Sequence, residues 1–157
     1  MLGDILRDPE GIEAGGTMKG MGLLPLETIF TKEKTRTRVD GRFLKVEGIL
    51  AGLEGIALEG YEIHMGDTRS GLPAMCEIKD CAGKQNVYGT YIHGIFDRED
   101  VVTAVVRALA ARKGMILDDL KAVDLKDFKE RQYDLLADGL RSHLDMKKIY
   151  EILEGGI

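Results

Sequence analysis

Along the chain the apolar positions recur at two periods. From Glu27 to Val46, ETIFTKEKTRTRVDGRFLKV alternates β-branched or aromatic residues with charges around the turn dipeptide Asp40-Gly41, which predicts a solvent-facing hairpin. In ALEGYEIHMGDT, from Ala57, period-two alternation predicts a strand with Tyr61, Ile63 and Met65 on one side and Glu62 and His64 on the other. Gly71-Leu72-Pro73 predicts a turn into a strand at Ala74 to Ile78, and DCAGKQN, from Asp80, a second turn. VYGTYIHGIFD, Val87 to Asp97, then predicts a buried strand with His93 at its far end.

After Phe96 the period becomes helical. Val101, Val102, Val105, Val106 and Leu109 fall on one face, with Asp97 placed to cap the helix and Gly114 to end it. Leu125 to Leu153 carries apolar residues among charges and predicts one long helix or two joined near Asp145. At the other end, MLGDILRDPEG predicts the last turns of a helix, with Leu2, Ile5 and Leu6 on one face and Asp8-Pro9 and Gly11 as its stop. Gly11, Gly15, Gly16, Gly20 and Gly22 make the next stretch an extended loop that enters a short apolar segment at Leu23 to Leu26. Strands followed by helices predict an α/β domain, with ligands gathering at strand ends.

Composition narrows the partners. A chain of 157 residues, 44% hydrophobic and 31% charged, is expected to build a single domain around one core. A net charge of -5, with basic residues dispersed among acids, offers no footprint for nucleic acid. The most apolar stretch, VVTAVVRALAA, is short of a bilayer span and contains Arg107, and no signal-peptide order opens the chain, so no membrane partner and a cytoplasmic location are expected. Cys76 and Cys81 are too widely spaced for a zinc or redox half-site, and no further ligands complete a metal set, so both are expected to be reduced thiols and no metal is expected. The glycine-rich run lacks the spacing of a phosphate cradle.

Two histidines sit where chemistry is possible. Glu62 and His64 on one strand face suit acid-base work or a polar sheet edge equally well. His93 is either a core histidine satisfied by a carbonyl or a titrating group at a strand end. His143, among helical charges, is expected at the surface.

Three segments in fixed order change the balance: GMGLLPLET at Gly20 to Thr28, GYEIHMGDT at Gly60 to Thr68, and VYGTYIHGIFD. Together with the ending LRSHLDMKKIYEIL they resemble the class I glutamine amidotransferase domain of the cobyric acid synthase family, over nearly the whole chain. The resemblance implies a flavodoxin-like α/β domain with a C-terminal helical segment, here residues 1–157, truncated on its N-terminal side. It makes His93 the histidine that activates a cysteine thiol against the side-chain amide of glutamine and then protonates departing ammonia. Met1-Leu2-Gly3 matches the end of the nucleophile motif, so the cysteine is expected about five residues upstream. Neither Cys76 nor Cys81 matches its position, and the chain is expected to be inactive alone. Ile95 stands where many related enzymes carry a glutamate that orients the histidine, which leaves Glu62 or Asp97 for that task. Tyr61, Glu62 and His64 match a stretch near the family's active site, which implies a substrate-side or interface role beside the alternative of a polar strand edge.

The family further implies ATP-dependent amidation of corrin carboxylates in cobalamin biosynthesis, with glutamine as amido donor. ATP and Mg²⁺ would belong to a separate synthetase domain, the expected partner, and no cofactor is expected within these residues. The readings that stay open are a related amidotransferase, of cobyrinic acid diamide synthesis or cell-wall amidation, and a non-catalytic docking or binding remnant.

Overall fold

The first apolar residues of the chain form a strand rather than the end of a helix. In the computed structural model, which describes residues 1–79, 81–117 and 123–155, β1 (Ile5–Asp8) pairs antiparallel with β2 (Gly16–Lys19) and parallel with β3 (Leu26–Ile29). Asp8 explains why. Its buried carboxylate accepts the backbone N–H groups of Ile12, Glu13 and Gly15 at 2.8, 2.8 and 2.9 Å, so it organises the connection to β2. Gly16–Lys19, within the glycine-rich run expected as loop, is therefore strand. Gly20 N donates to Asp4 O at 2.8 Å, and a Cβ there would lie 2.1 Å from the carbonyl oxygen of Gly3, so only glycine lets this segment cross the N-terminal residues.

The chain divides into two compact units, Met1–Ala122 and Val123–Ile157. The first holds a sheet of order β2-β1-β3-β6, with β6 spanning Asp67–Ser70. A second sheet has the order β4-β5-β9, built from Thr35–Arg42, Ala57–His64 and Ile92–His93. β7 (Ala82–Lys84) and β8 (Val87–Gly89) form a separate pair. The hairpin expected at Asp40-Gly41 is absent: both residues continue β4, opposite Glu59 and Leu58, and β3 lies in the other sheet. A turn dipeptide stays extended when a partner strand takes its backbone, and β5 does so along all eight residues of β4.

No strand forms at Ala74 to Ile78. Isolated bridges pair Phe43 with Cys76 and Ala74 with Ala82, and they bring the cysteines to a Cα separation of 5.8 Å. Cys76 and Cys81 are disulfide-bonded, which corrects the expectation of reduced thiols; a spacing wrong for metal is workable for a bridge once the segment folds back on itself. Asp80, inside the turn expected at DCAGKQN, lies outside the described residues.

The stretch VYGTYIHGIFD is two strands, because its halves answer to different partners. Val87–Gly89 pairs with β7, and after Thr90 and Tyr91 the chain crosses to pair Ile92–His93 with β5. Gly94, at φ 79°, ends β9 in the left-handed region. The core lies beneath the second sheet, where Phe43, Val46, Leu53, Leu58, Ile92 and Val101 cluster with the disulfide. Leu53 comes from a 3-10 helix, Gly48–Leu53, and Val101 from α1, Glu99–Arg112. Burial of side chains such as Leu58 and Val101 contributes about 2 kcal/mol each.

The cap of α1 differs from expectation. Arg98 occupies the cap position without a side-chain cap bond, while Asp97 N donates to Gly94 O at 2.8 Å and closes the turn after β9. At the other end Gly114 N bonds Ala111 O and Met115 N bonds Ala110 O, a glycine stop of the Schellman type. The second unit holds α2 (Leu125–His143) and α3 (Met146–Gly155), so the helical pattern breaks at Asp145 as expected. Asp124 caps α2 through Lys126 N and Asp127 N. No residue of α2 or α3 is buried, and their apolar side chains, Phe128, Leu136 and Tyr150 among them, are exposed.

Two outcomes test this account. Burial alone would raise the pKa of Asp8, but the surrounding N–H groups of Glu13, Gly15, Ile12 and Gly11 outweigh it and hold the carboxyl below its ordinary value. The ionised form is therefore favoured by folding; its stabilisation is complete above the unfolded aspartate pKa and is lost as the pH falls through the lower folded value. Thermal melts across that acid range should show Asp8→Asn less stable than wild type at neutral pH, with the gap closing on acidification. At Gly60 in β5 a Cβ would lie 2.3 Å from the carbonyl oxygen of His93 and 2.6 Å from Ile92 Cγ2. Gly60→Ala should cost about 1–3 kcal/mol in urea denaturation and speed amide exchange at Ile92 and His93.

Candidate functional site

His93 stands at an edge held from three sides. Its strand pairs with β5 in the register Tyr61 opposite His93 and Glu62 opposite Ile92, so His93 and Tyr61 share one face of the sheet. Their rings stack with centroids 5.1 Å apart and planes 10° from parallel. The histidine side chain is exposed, not a core group satisfied by a carbonyl. Gly60 allows the close approach from beneath, and the Gly94 turn folds the Asp97 carboxylate back, so that a Cβ on Gly94 would lie 3.5 Å from Asp97 Oδ2. Tyr61 exposes 47% of its surface, so the stacked Tyr61–His93 pair lies on an open face. An imidazole so placed can accept and return a proton to a group brought against that face.

Glu62 lies on the opposite side of β5. It points toward the core face with Ile92, so the expectation that it orients His93 is corrected by the strand's own alternation, and Asp97, whose carboxylate lies against Gly94, is the remaining candidate. Glu62 is 7% exposed, and its buried Oε1 has no hydrogen-bond partner among the described residues. His64 shares that side of the strand. Its Nδ1 is 3.1 Å from the carbonyl oxygen of Gly66 and must donate to it, and its ring stacks on Tyr91 at 4.6 Å. The four sequence-derived residues thus divide into two pairs on two faces: Tyr61 with His93, Glu62 with His64.

Sequence reading missed a chain of hydroxyls beside them. Thr28 Oγ1 is 2.9 Å from Thr68 Oγ1, which is 2.9 Å from the Tyr91 hydroxyl, and all three line a mostly apolar cleft of about 370 Å³. The signal was present in part, since Thr28 and Thr68 close two of the three motifs, but the pairing of β3 with β6 is what brings them opposite each other. His143 is exposed, with Nδ1 2.8 Å from Gly139 O. Among the described residues no group of three or more His, Cys, Asp or Glu could hold a metal ion, and no helix is long and apolar enough to cross a membrane.

Residues 1–101 match the family of CobB/CobQ-like glutamine amidotransferase domains. The chain is 48% identical to the cobyric acid synthase of Ruminiclostridium cellulolyticum, covering 100% of this chain and 33% of that protein. It is 43% identical to the cobyric acid synthase of Lachnoclostridium phytofermentans, over 100% of this chain and 34% of the relative, and 41% identical to that of Citrobacter koseri, over 98% and 32%. The chain therefore spans about a third of the length of these relatives. A matched domain family over the unit that carries the Tyr61 and His93 face, with relatives of one name along the whole chain, agrees with the mixed α/β architecture, and the chain belongs to the CobB/CobQ-like glutamine amidotransferase domain family.

Proposed function

We propose that this chain supplies the acid-base histidine of a glutamine-hydrolysing centre, within an enzyme that amidates corrin carboxylates in cobalamin biosynthesis. The observation that carries the proposal is His93 itself, exposed at the end of β9, stacked on Tyr61 and set between the Gly60 contact and the Gly94 turn. In the proposed reaction His93 takes the proton of a cysteine thiol, the thiolate bonds to the amide carbon of glutamine, and the C–N bond breaks as His93 returns the proton to the leaving ammonia. Water then hydrolyses the thioester and releases glutamate. Tyr61 acts as a positioning residue that fixes the plane of the imidazole, and Asp97 is the candidate for its orientation.

The thiol comes from outside these residues, because the chain's two cysteines are tied to each other and neither is free. For the same reason the 157-residue chain is inactive alone. The corrin substrate, ATP and Mg²⁺ are assigned to the remaining two-thirds of an enzyme like the cobyric acid synthases, working in the cytoplasm as the partner of this domain. Placing the nucleotide elsewhere is supported by the glycine-rich loop, where the backbone N–H groups of Ile12, Glu13 and Gly15 are already taken by Asp8.

A chimera tests the proposal. The chain alone should release no glutamate from glutamine; joined to the preceding two-thirds of the Ruminiclostridium cellulolyticum relative, it should do so, and His93→Ala should lower kcat by roughly 10²–10⁴-fold. Tyr61→Phe should keep most of the activity and Tyr61→Ala lose much of it. Glutamate release by the 157-residue chain above its own His93→Ala variant would overturn the reading.

A further inference from the structure

Glu62 and its surroundings are not used by the chemistry at His93. A buried carboxylate oxygen without a partner is costly, and proteins ordinarily satisfy such groups with a donor or an opposite charge. Glu62 lines an open cleft of about 430 Å³ together with Thr35, Glu33, His64, Asp67 and Lys79. The charges there are three carboxylates against one ammonium. That ammonium is committed to Asp67: Lys79 Nζ donates to it, and holds the Asp67 carboxyl below its ordinary pKa against the opposing effect of burial.

The cleft is also rich in acceptors. With Nδ1 donating to Gly66, a neutral His64 leaves Nε2 unprotonated and accepting. Glu62 Oε1 accepts no hydrogen bond from the described residues. Both groups call for N–H donors, and the surrounding charge favours a cation. A bare metal ion fits less well, because the described residues bring no three ligating side chains close enough to hold one.

We propose that the cleft beside Glu62 and His64 is a binding site for a primary ammonium group, free or carried by a small organic molecule. Glu62 supplies the buried charge and His64 the second acceptor. The site lies on the side of β5 opposite His93, so it is independent of the proposed glutamine chemistry and fails or stands separately from it.

The full chain can be titrated with ammonium chloride or ethylammonium chloride while the His64 imidazole is followed by NMR. Potassium chloride and tetramethylammonium chloride supply cations without N–H donors, and magnesium chloride supplies a metal. Saturable shifts are expected with ammonium or ethylammonium alone, the tighter of the two identifying the free ion or an amine-bearing molecule. They should weaken at least about tenfold in Glu62→Gln and persist in His93→Ala. Glu62→Met carries the same expectation if Glu62→Gln loses the β5–β9 pair. No saturable shift, equal shifts with potassium, tetramethylammonium or magnesium, undiminished binding in the Glu62 variants, or loss in His93→Ala would each overturn the proposal.

Discussion

The closeness of β5 and β9 is the constraint on which the rest of the site depends. A Cβ at position 60 would stand 2.3 Å from the backbone of His93, so a short strand of two residues is seated by the absence of a side chain on its neighbour. That seating sets the register, and the register sets which ring meets which. Tyr61 meets His93, Ile92 enters the core with Leu58 and Val101, and the Gly94 turn, closed by Asp97 N on Gly94 O, leads into α1. Packing beneath the sheet and the Tyr61–His93 ring pair above it follow from one backbone contact.

A single strand thereby serves two environments. The alternation of side chains along β5 puts Tyr61 on an open face beside His93 of β9, and a glutamate and a second histidine on the side that runs down to the core. Residues adjacent in the motif GYEIHMG are on opposite surfaces of the sheet. Nearness in sequence is a poor guide to shared function in an extended chain, because consecutive side chains point apart.

Other polar devices hold the first unit in shape. The Asp8 carboxylate gathers backbone N–H groups of the loop that follows it, and the Cys76–Cys81 bridge closes a segment whose backbone pairs through isolated bridges. Both compensate for sparse secondary structure. The helices of the second unit show the reverse, regular with none of their described residues buried, and side-chain pairs such as Arg141 with Asp138 link successive turns.

Some features were legible because they depend on local periodicity. The alternation of β5, the helix after Phe96, the break near Asp145 and the three motifs that mark the family could be read directly from the residues. Where neighbours distant in the chain decide, the text misled. Met1 to Asp8 looked helical because Leu2, Ile5 and Leu6 fit a helical face, yet pairing with β2 and β3 made Ile5–Asp8 a strand; Asp40-Gly41 looked like a turn until β5 claimed its backbone. VYGTYIHGIFD looked like one strand and is shared between two sheets. The sequence by itself determined which residues could do chemistry, since residue type and motif spacing are local. Only the tertiary structure decided which of them meet, pairing His93 with Tyr61 and separating it from Glu62, because strand register is set by contacts between segments some thirty residues apart.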